Sequence, residues 1–502
     1  MRERWINKSR LQGLAAALLA GGWFIAAALI PEGFHYVRAG GFLLLAVALY
    51  AYLGFGCGEK NAISLKALFS GMWLGTIGLA DLKLLGYQKP WALETWLVLG
   101  GAFLAFHLGF YVMESLGIQP LERLKDRQTG RLSFRMEESR LFPVCVVTTL
   151  IGLGCFTINI LIRGYIPFFV TDEMMAYYDF YTRFNIFTVA STAGAGLCYY
   201  TLKTQKLSRP KQVFLVLAIL YEVVAMPLLS VSRGTMMIAI LTLTAAIVML
   251  SRHKLPVFLV CMAVAFGLYE VGSAARHLSN EYLDYVFQPK VLNVPAESEA
   301  SPPESALPEE PSQAAPAEPS TSAPAEAPEQ APAETAPQGI SLSPRAAFLY
   351  GYLTVSHDNF NEAVTRHTGY TYGLRQLQAF TVVLRFPGLK EKLESLEFYQ
   401  VGESLNTGNL ITDAYYDFGP LGCCVFLFLW ACVFSVIEQY ARRSGGPCAM
   451  IALGVAMIPV VLCFFESWTS YFTFWLLWGT DLLLFFALCL HINKEDPGRE
   501  TE

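Results

Sequence analysis

Four arginines and no lysine fall between residues 341 and 389: Arg345, Arg366, Arg375 and Arg385. A guanidinium binds phosphate through two parallel N–H donors, whereas an ammonium acts as a point charge, so a set built from Arg alone suits a diphosphate. Arg183 and Arg233 join the set from earlier in the chain, and Arg233 stands in the SVSRG turn at 230–234, where Gly234 permits a tight bend. Each arginine also reads as a headgroup anchor or the partner of a local carboxylate, and Arg233 as a side chain that only reaches up to a membrane surface. For proton transfer the chain offers His357-Asp358-Asn359, and His367 beside Arg366. An imidazole next to a carboxylate can be tuned toward neutral pH, although each histidine reads equally well as a surface-loop residue. Asn406, Asp413 and Asp417, within NTGNLITDAYYDFGPLG at 406–422, are placed to order an acceptor, and Asp417 also to cap a following helix. No Asp-x-Asp and no spaced His/Asp set offers a metal site, and none of this chemistry requires a cofactor.

The elements that must position these residues are membrane helices. Of the 502 residues 54% are hydrophobic, 14% aromatic and only 15% charged. The apolar residues come in blocks of about 20, the length a helix needs to cross a hydrocarbon core. Twelve spans are predicted, near 11–30, 39–56, 66–85, 91–113, 141–162, 184–202, 212–230, 235–250, 256–275, 419–440, 449–465 and 472–490. The third, which contains Asp81 and Lys83, has the weakest pattern. The first apolar run is a full span without a clear cleavage site, so no cleavable signal peptide is expected.

Short-loop cations set the orientation. They cluster at Arg2 to Arg10, Arg123 to Arg140, Lys203 to Lys211, Arg252 with Lys254, and Arg442 with Arg443. All fall on one side if both termini are cytoplasmic and the count is twelve. The net charge of −5 misleads, because 295–344 holds nine Glu and no Lys or Arg, leaving 36 basic against 32 acidic residues elsewhere. Nothing in that balance points to nucleic acid. The 11 cysteines all lie in spans or at their inner ends, which excludes a disulfide framework for the outer region and makes them small packing residues.

Three regions follow. Residues 1–275 hold spans one to nine, 276–418 form a large outer loop, and 419–502 hold the last three spans and a short tail. Within the loop, 294–339 is dominated by Pro, Ala, Glu and Ser and cannot bury enough apolar surface to fold. Residues 341–418 are rich in Tyr, Phe and Leu and are expected to be an ordered subdomain. Leu374, Leu377, Phe380 and Leu384 predict an amphipathic surface helix over 372–386, stopped by Pro387.

Three short motifs carry a family resemblance. SVSRG at 230–234 resembles the SGSRG element of bacterial O-antigen and oligosaccharide-repeat-unit polymerases of the Wzy type. GYIPFF at 164–169 is similar to their GGIPLF, and 406–422 to their polar stretch with its Asp-x-Gly-x-x-Gly entry to a late span. The resemblance covers most of 160–440, in matching order and sidedness. Two departures stand out: TDEMMAYY at 171–178 occupies the place of an expected Arg, a role that either Arg183 takes over or the chain lacks, and the proline-rich insertion lies outside the pattern.

The resemblance implies an all-α polytopic protein with a GT-C-like glycosyltransferase architecture in a bacterial cytoplasmic membrane. Its implied activity is transfer of a growing glycan from a polyprenyl diphosphate onto an incoming lipid-linked repeat unit, without metal or cofactor. A chain-length regulator and a flippase are the implied partners. An O-antigen ligase-like transferase is the neighbouring alternative. A flippase or transporter is the alternative from another class, since twelve spans with both ends inside suit a transporter and KDRQTGR at 125–131 faintly resembles a transporter loop. Against it stand some 140 outer residues with an Arg-rich aromatic subdomain. Glu222, His107 and Asp481 lie at mid-membrane depth, where an ionisable group is either functional or an interhelical hydrogen-bonding residue.

Overall fold

The computed structural model describes residues 2–56, 61–116, 132–134, 136–170, 180, 182–274, 286, 342–381, 388–402 and 405–492. The helices run in order α1 (Arg2–Leu29), α2 (His35–Ala51), α3 (Leu65–Ala80), α4 (Leu93–Leu116), α5 (Leu141–Arg163), α6 (Asn185–Ser191) and α7 (Gly194–Thr204). Next come α8 (Arg209–Leu220), continued to Leu229 through a π turn at Tyr221–Ala225, then α9 (Arg233–Leu250) and α10 (Lys254–Ala274). The outer region supplies α11 (Pro344–Arg366), α12 (Leu374–Leu377) and α13 (Leu389–Glu394), before α14 (Thr412–Ser444), α15 (Pro447–Val461) and α16 (Phe472–Cys489).

Nine of these, α1, α2, α4, α5, α8, α9, α10, α14 and α16 with their flanking turns, are long and apolar enough to cross a membrane. The chain is a helical membrane protein of many passes. Large apolar side chains such as Leu19, Leu44, Leu161, Leu217 and Val260 stand outward without protein cover, as a lipid-facing surface requires. Where spans three, six and eleven are predicted, the helices are shorter: 16 residues in α3, a broken pair of 7 and 11 in α6 and α7, and 15 in α15. A 16-residue helix rises about 24 Å, less than a hydrocarbon core of roughly 30 Å. All of α15 and most of α3 are buried, so longer helices shield them. The third helix stops at Ala80 because Asp81 turns back to Arg38, whose guanidinium meets it in a buried two-point pair of 2.5 and 2.6 Å.

Stacked aromatics fill the centre, with Phe69 against Phe106 at 3.9 Å and Phe42 against Trp96 at 5.6 Å. Close crossing of α4 and α14 depends on Gly109, where an added Cβ would come within 2.5 Å of the Phe428 carbonyl. At one end of the bundle, strands β1 (Leu132–Phe134) and β2 (Leu490–Ile492) pair antiparallel with Ser133 opposite His491. This ladder is a small departure from a purely helical chain. It holds the segment after α4 against the end of α16. The residues with candidate chemistry gather at the opposite end.

The expected surface helix over 372–386 is not a single element. Its described part is the one-turn α12 followed by a 3₁₀ turn at Gln378–Phe380, in which Phe380 packs on Trp475 at 5.3 Å. Leu384 and the insertion at 294–339 lie outside the described residues.

Candidate active site

The outer region contributes a polar helix that runs into the bundle. Ser343 starts α11 by accepting the Ala346 N–H at 3.3 Å, with Pro344 in the first turn. From Thr354 to Val364 every residue is buried, the polar ones included. This is possible because their groups are matched. Ser356 donates to the Phe464 carbonyl. Asn359 accepts from the Val401 N–H at 2.8 Å and donates to the Thr407 carbonyl at 2.8 Å, while Asn361 accepts from the Ala92 N–H and the Thr95 hydroxyl, both at 2.8 Å.

His357 and Asp358 do not form the expected pair. Consecutive helix residues point about 100° apart, and here they face different elements. The His357 ring lies between the Thr76 hydroxyl at 2.9 Å and the Asn409 amide at 3.4 Å. Thr76 gives its own proton to the Met72 carbonyl, so it accepts from Nε2–H and leaves Nδ1 to accept from Asn409. Burial pushes His357 down to about 3, and the ring is neutral with both nitrogens engaged. Asp358 accepts from Trp91 Nε1 and Gln88 Nε2, each at 2.9 Å, and burial raises it to about 7 against those two bonds. His357 fastens α11 to α3 and to the segment before α14, and Asp358 fastens it to the segment before α4.

A second cluster forms where α14 begins. Gly419, at φ 69°, kinks this 33-residue helix ahead of Pro420, and an added Cβ would strike the Tyr370 ring. Asp417, just before the kink, accepts the backbone N–H groups of Arg375 and Gln376, each at 3.0 Å, and the Thr371 hydroxyl. It therefore caps α12 rather than the tenth span, and its carboxylate is occupied. That cap fixes Arg375, whose guanidinium lies 4.0 Å over the Tyr416 ring, donates to the Glu397 carbonyl and approaches Asp413 at 4.0 Å. His367 meets the same Tyr416 ring edge-on at 4.7 Å, and burial followed by Arg375 lowers its pKa. The segment after α15 closes the cluster. Gln376 accepts from Thr469 at 2.8 Å, and Glu466 accepts from Tyr471 at 2.7 Å and is pushed by burial to about 8.

Arg233 occupies a third place at the same end. Val231, at φ 52°, is a β-branched residue in left-handed geometry, a strained turn that delivers the next residues into α9. Ser232 caps the helix through the Thr235 N–H at 3.3 Å. The Arg233 guanidinium is buried in an aromatic cage 4.6 Å from Tyr352 and 5.4 Å from both Tyr269 and Phe348. It donates to the Tyr352 hydroxyl, to Tyr269 at 3.4 Å and to Ser273 at 3.3 Å, and no carboxylate pairs with it among the described residues. A cation at a helix N-terminus adds to the positive end of the dipole, so among the described residues the spot is a concentrated positive potential. Tyr352 also stacks on Phe465 at 5.4 Å, which ties this cage to the Glu466 segment beside Arg375.

The other arginines stay apart from this arrangement. Arg366 is half-exposed and paired with Glu362 at 2.6 Å. Arg183 is exposed in the turn before α6, and Arg345 is exposed in the first turn of α11. Arg345 does share a helix face with Phe348 and Tyr352 by its i, i+3, i+7 spacing. Arg385 lies outside the described residues, and Asn406 is exposed while Asn409, three positions on, is the buried contact of His357. Sequence reasoning missed Gln376, Glu466, Ser470 and the caging tyrosines. The polar run ESWTS at 466–470, falling between two predicted spans, was the available signal. Of the mid-membrane groups, His107 bonds Ser70 at 3.0 Å and Glu222 bonds Thr149 at 3.2 Å, both between helices.

Compared with family models, curated proteins and solved structures, the chain matches none of them.

Proposed function

We propose that this protein polymerises polyprenyl-diphosphate-linked oligosaccharide repeat units on the outer face of a bacterial cytoplasmic membrane, with twelve passes, a GT-C-like architecture and both termini cytoplasmic. The observation that carries the reading is Arg233: buried, caged by three aromatic rings, seated at a helix N-terminus and without a carboxylate among the described residues. Burying a charge without a counter-charge is costly, and a bound anion would relieve that cost. A diphosphate at the end of the bundle, its polyprenyl tail in lipid, fits the place and the sign. The leaving group is already an anion, so the reaction needs cations that hold it as the sugar–oxygen bond breaks. Arg375, set in a cluster of hydroxyls, carboxylates and tyrosines, supports a neighbouring place for the sugar that attacks. Charge-assisted bonds to phosphate contribute about 1.5–3 kcal/mol each.

The test is the lipid-linked glycan pool of a strain lacking the protein. Accumulation of single repeat units is the expected result. Full-length chains left on lipid would instead identify a ligase, and units trapped on the inner face a flippase.

A further inference from the structure

We propose that Asp413 takes the proton of the attacking sugar hydroxyl, and that Gln376, Ser470, His367 and Arg375 form the subsite that holds this acceptor sugar. The inference rests on the polymerase reading and adds the place and the base for its second substrate.

Four polar atoms in this one cluster are buried and have no hydrogen-bond partner among the described residues: Arg375 Nε, Gln376 Nε2, Ser470 Oγ and His367 Nε2. Arg375 and Ser470 are themselves more than nine-tenths buried, with exposures of 7% and 5%. Orphaned polar atoms are costly singly, and four together describe a surface awaiting oxygens of a ligand. A pyranose presents such oxygens around a ring whose faces are apolar C–H groups. Flat partners for those faces stand beside the orphans, with Tyr399 stacked on Tyr416 at 6.4 Å and Tyr370 half-exposed next to His367 at 6.4 Å. This pairing of aromatic walls with a few convergent polar groups is the general form of a small-molecule site.

Three carboxyls border the cluster, and two are already committed. Asp417 is occupied by three donors of the α12 turn. Glu466 is taken up by the Tyr471 hydroxyl, from which it accepts at 2.7 Å. Asp413 stands 4.0 Å from Arg375, beyond a closed hydrogen bond, and burial raises its pKa while Arg375 opposes the shift, so its carboxylate is a stronger proton acceptor than a free one. The step balances as follows. The acceptor oxygen forms a bond to the anomeric carbon of the donor, the bond from that carbon to the diphosphate breaks with its electron pair on the phosphate oxygen, and the acceptor proton passes to the Asp413 carboxylate.

The experiment separates the two substrates in purified full-length protein. A donor-only repeat unit has its acceptor hydroxyl methylated, and an acceptor-only unit carries a methylene in place of the sugar–phosphate bridging oxygen. Asp413→Asn is expected to lower kcat by about 10²- to 10⁴-fold with the donor KM unchanged, and Asp413→Glu to restore part of it. Gln376→Ala is expected to raise the acceptor KM about 10-fold and leave the donor KM alone, as loss of one buried polar contact would. Folded Asp413→Asn with near-normal kcat would overturn the assignment. Should that variant not fold, an unchanged acceptor KM in Gln376→Ala would overturn it instead. If wild-type protein forms no polymer from intact lipid-linked units, the polymerase reading fails and this inference falls with it.

Discussion

Asp417 and Arg375 are joined through the backbone rather than through their charges: the carboxylate accepts the Arg375 N–H at 3.0 Å, while the guanidinium turns away to lie 4.0 Å over Tyr416. A capping carboxylate thus sets the direction in which the arginine points. The kink at Gly419 brings the end of α14 to that cap, so backbone geometry at one residue places a charge 44 positions earlier in sequence.

Replacing Asp417 with Ala is expected to loosen α12 by about 1–2 kcal/mol, the usual cost of losing a cap. Amide exchange at residues 375 and 376 should quicken about 10-fold, and turnover should fall because Arg375 is no longer held. Unchanged exchange with lost turnover would mean that the carboxylate acts on substrate directly.

Asp358 predicts a pH dependence. Its pKa in the fold, raised by burial to about 7, lies above the ordinary 3.8, so the folded state retains a proton that the unfolded state releases. The resulting stability is fully present below pH 4 and is lost as pH rises through 7, on the order of 4 kcal/mol. Lys83 opposes the shift and Asp81 adds to it. Thermal unfolding in detergent between pH 4 and 8 should show a decline that Asp358→Asn reduces. An identical decline in the variant would contradict the assignment.

Deletion of 296–338 is expected to leave activity and topology largely intact, since a Pro-, Ala- and Glu-rich stretch without aromatic residues has little to pack with. In vitro turnover within twofold of wild type checks this. Lost polymerisation at normal protein level would make the segment a functional element.

Hydropathy made the long helices legible because a lipid-facing helix must be apolar along its whole length. It did not separate them from α3 and α15, whose residues are just as apolar but are covered by protein. Arg233 and Arg375 were legible as chemistry, since Arg-only clusters are uncommon beside a membrane. Their surroundings were not. The cage of Arg233 comes from Tyr269, Phe348 and Tyr352 on two other helices, and the α11 segment TVSHDNFNEAV reads as surface by composition although it is interior. His357 and Asp358 misled for the same reason. Neighbours in sequence looked like a dyad, and the helix turned them to different walls.

The most direct measurement is polymer formation by purified protein in vesicles supplied with polyprenyl-diphosphate-linked repeat units, comparing wild type, Arg233→Ala and Arg233→Lys. Arg443→Ala, an exposed site at the other end of the bundle, serves as the comparison. Wild type should build a ladder of products, and Arg233→Ala should slow it by roughly 10- to 100-fold, the equivalent of one charge-assisted phosphate bond used in the transition state. Arg233→Lys should recover only part, because it keeps the charge and loses the planar fork. A ladder formed at near wild-type rate by folded Arg233→Ala would remove the caged arginine from the reaction, and no ladder from wild type would contradict the polymerase itself.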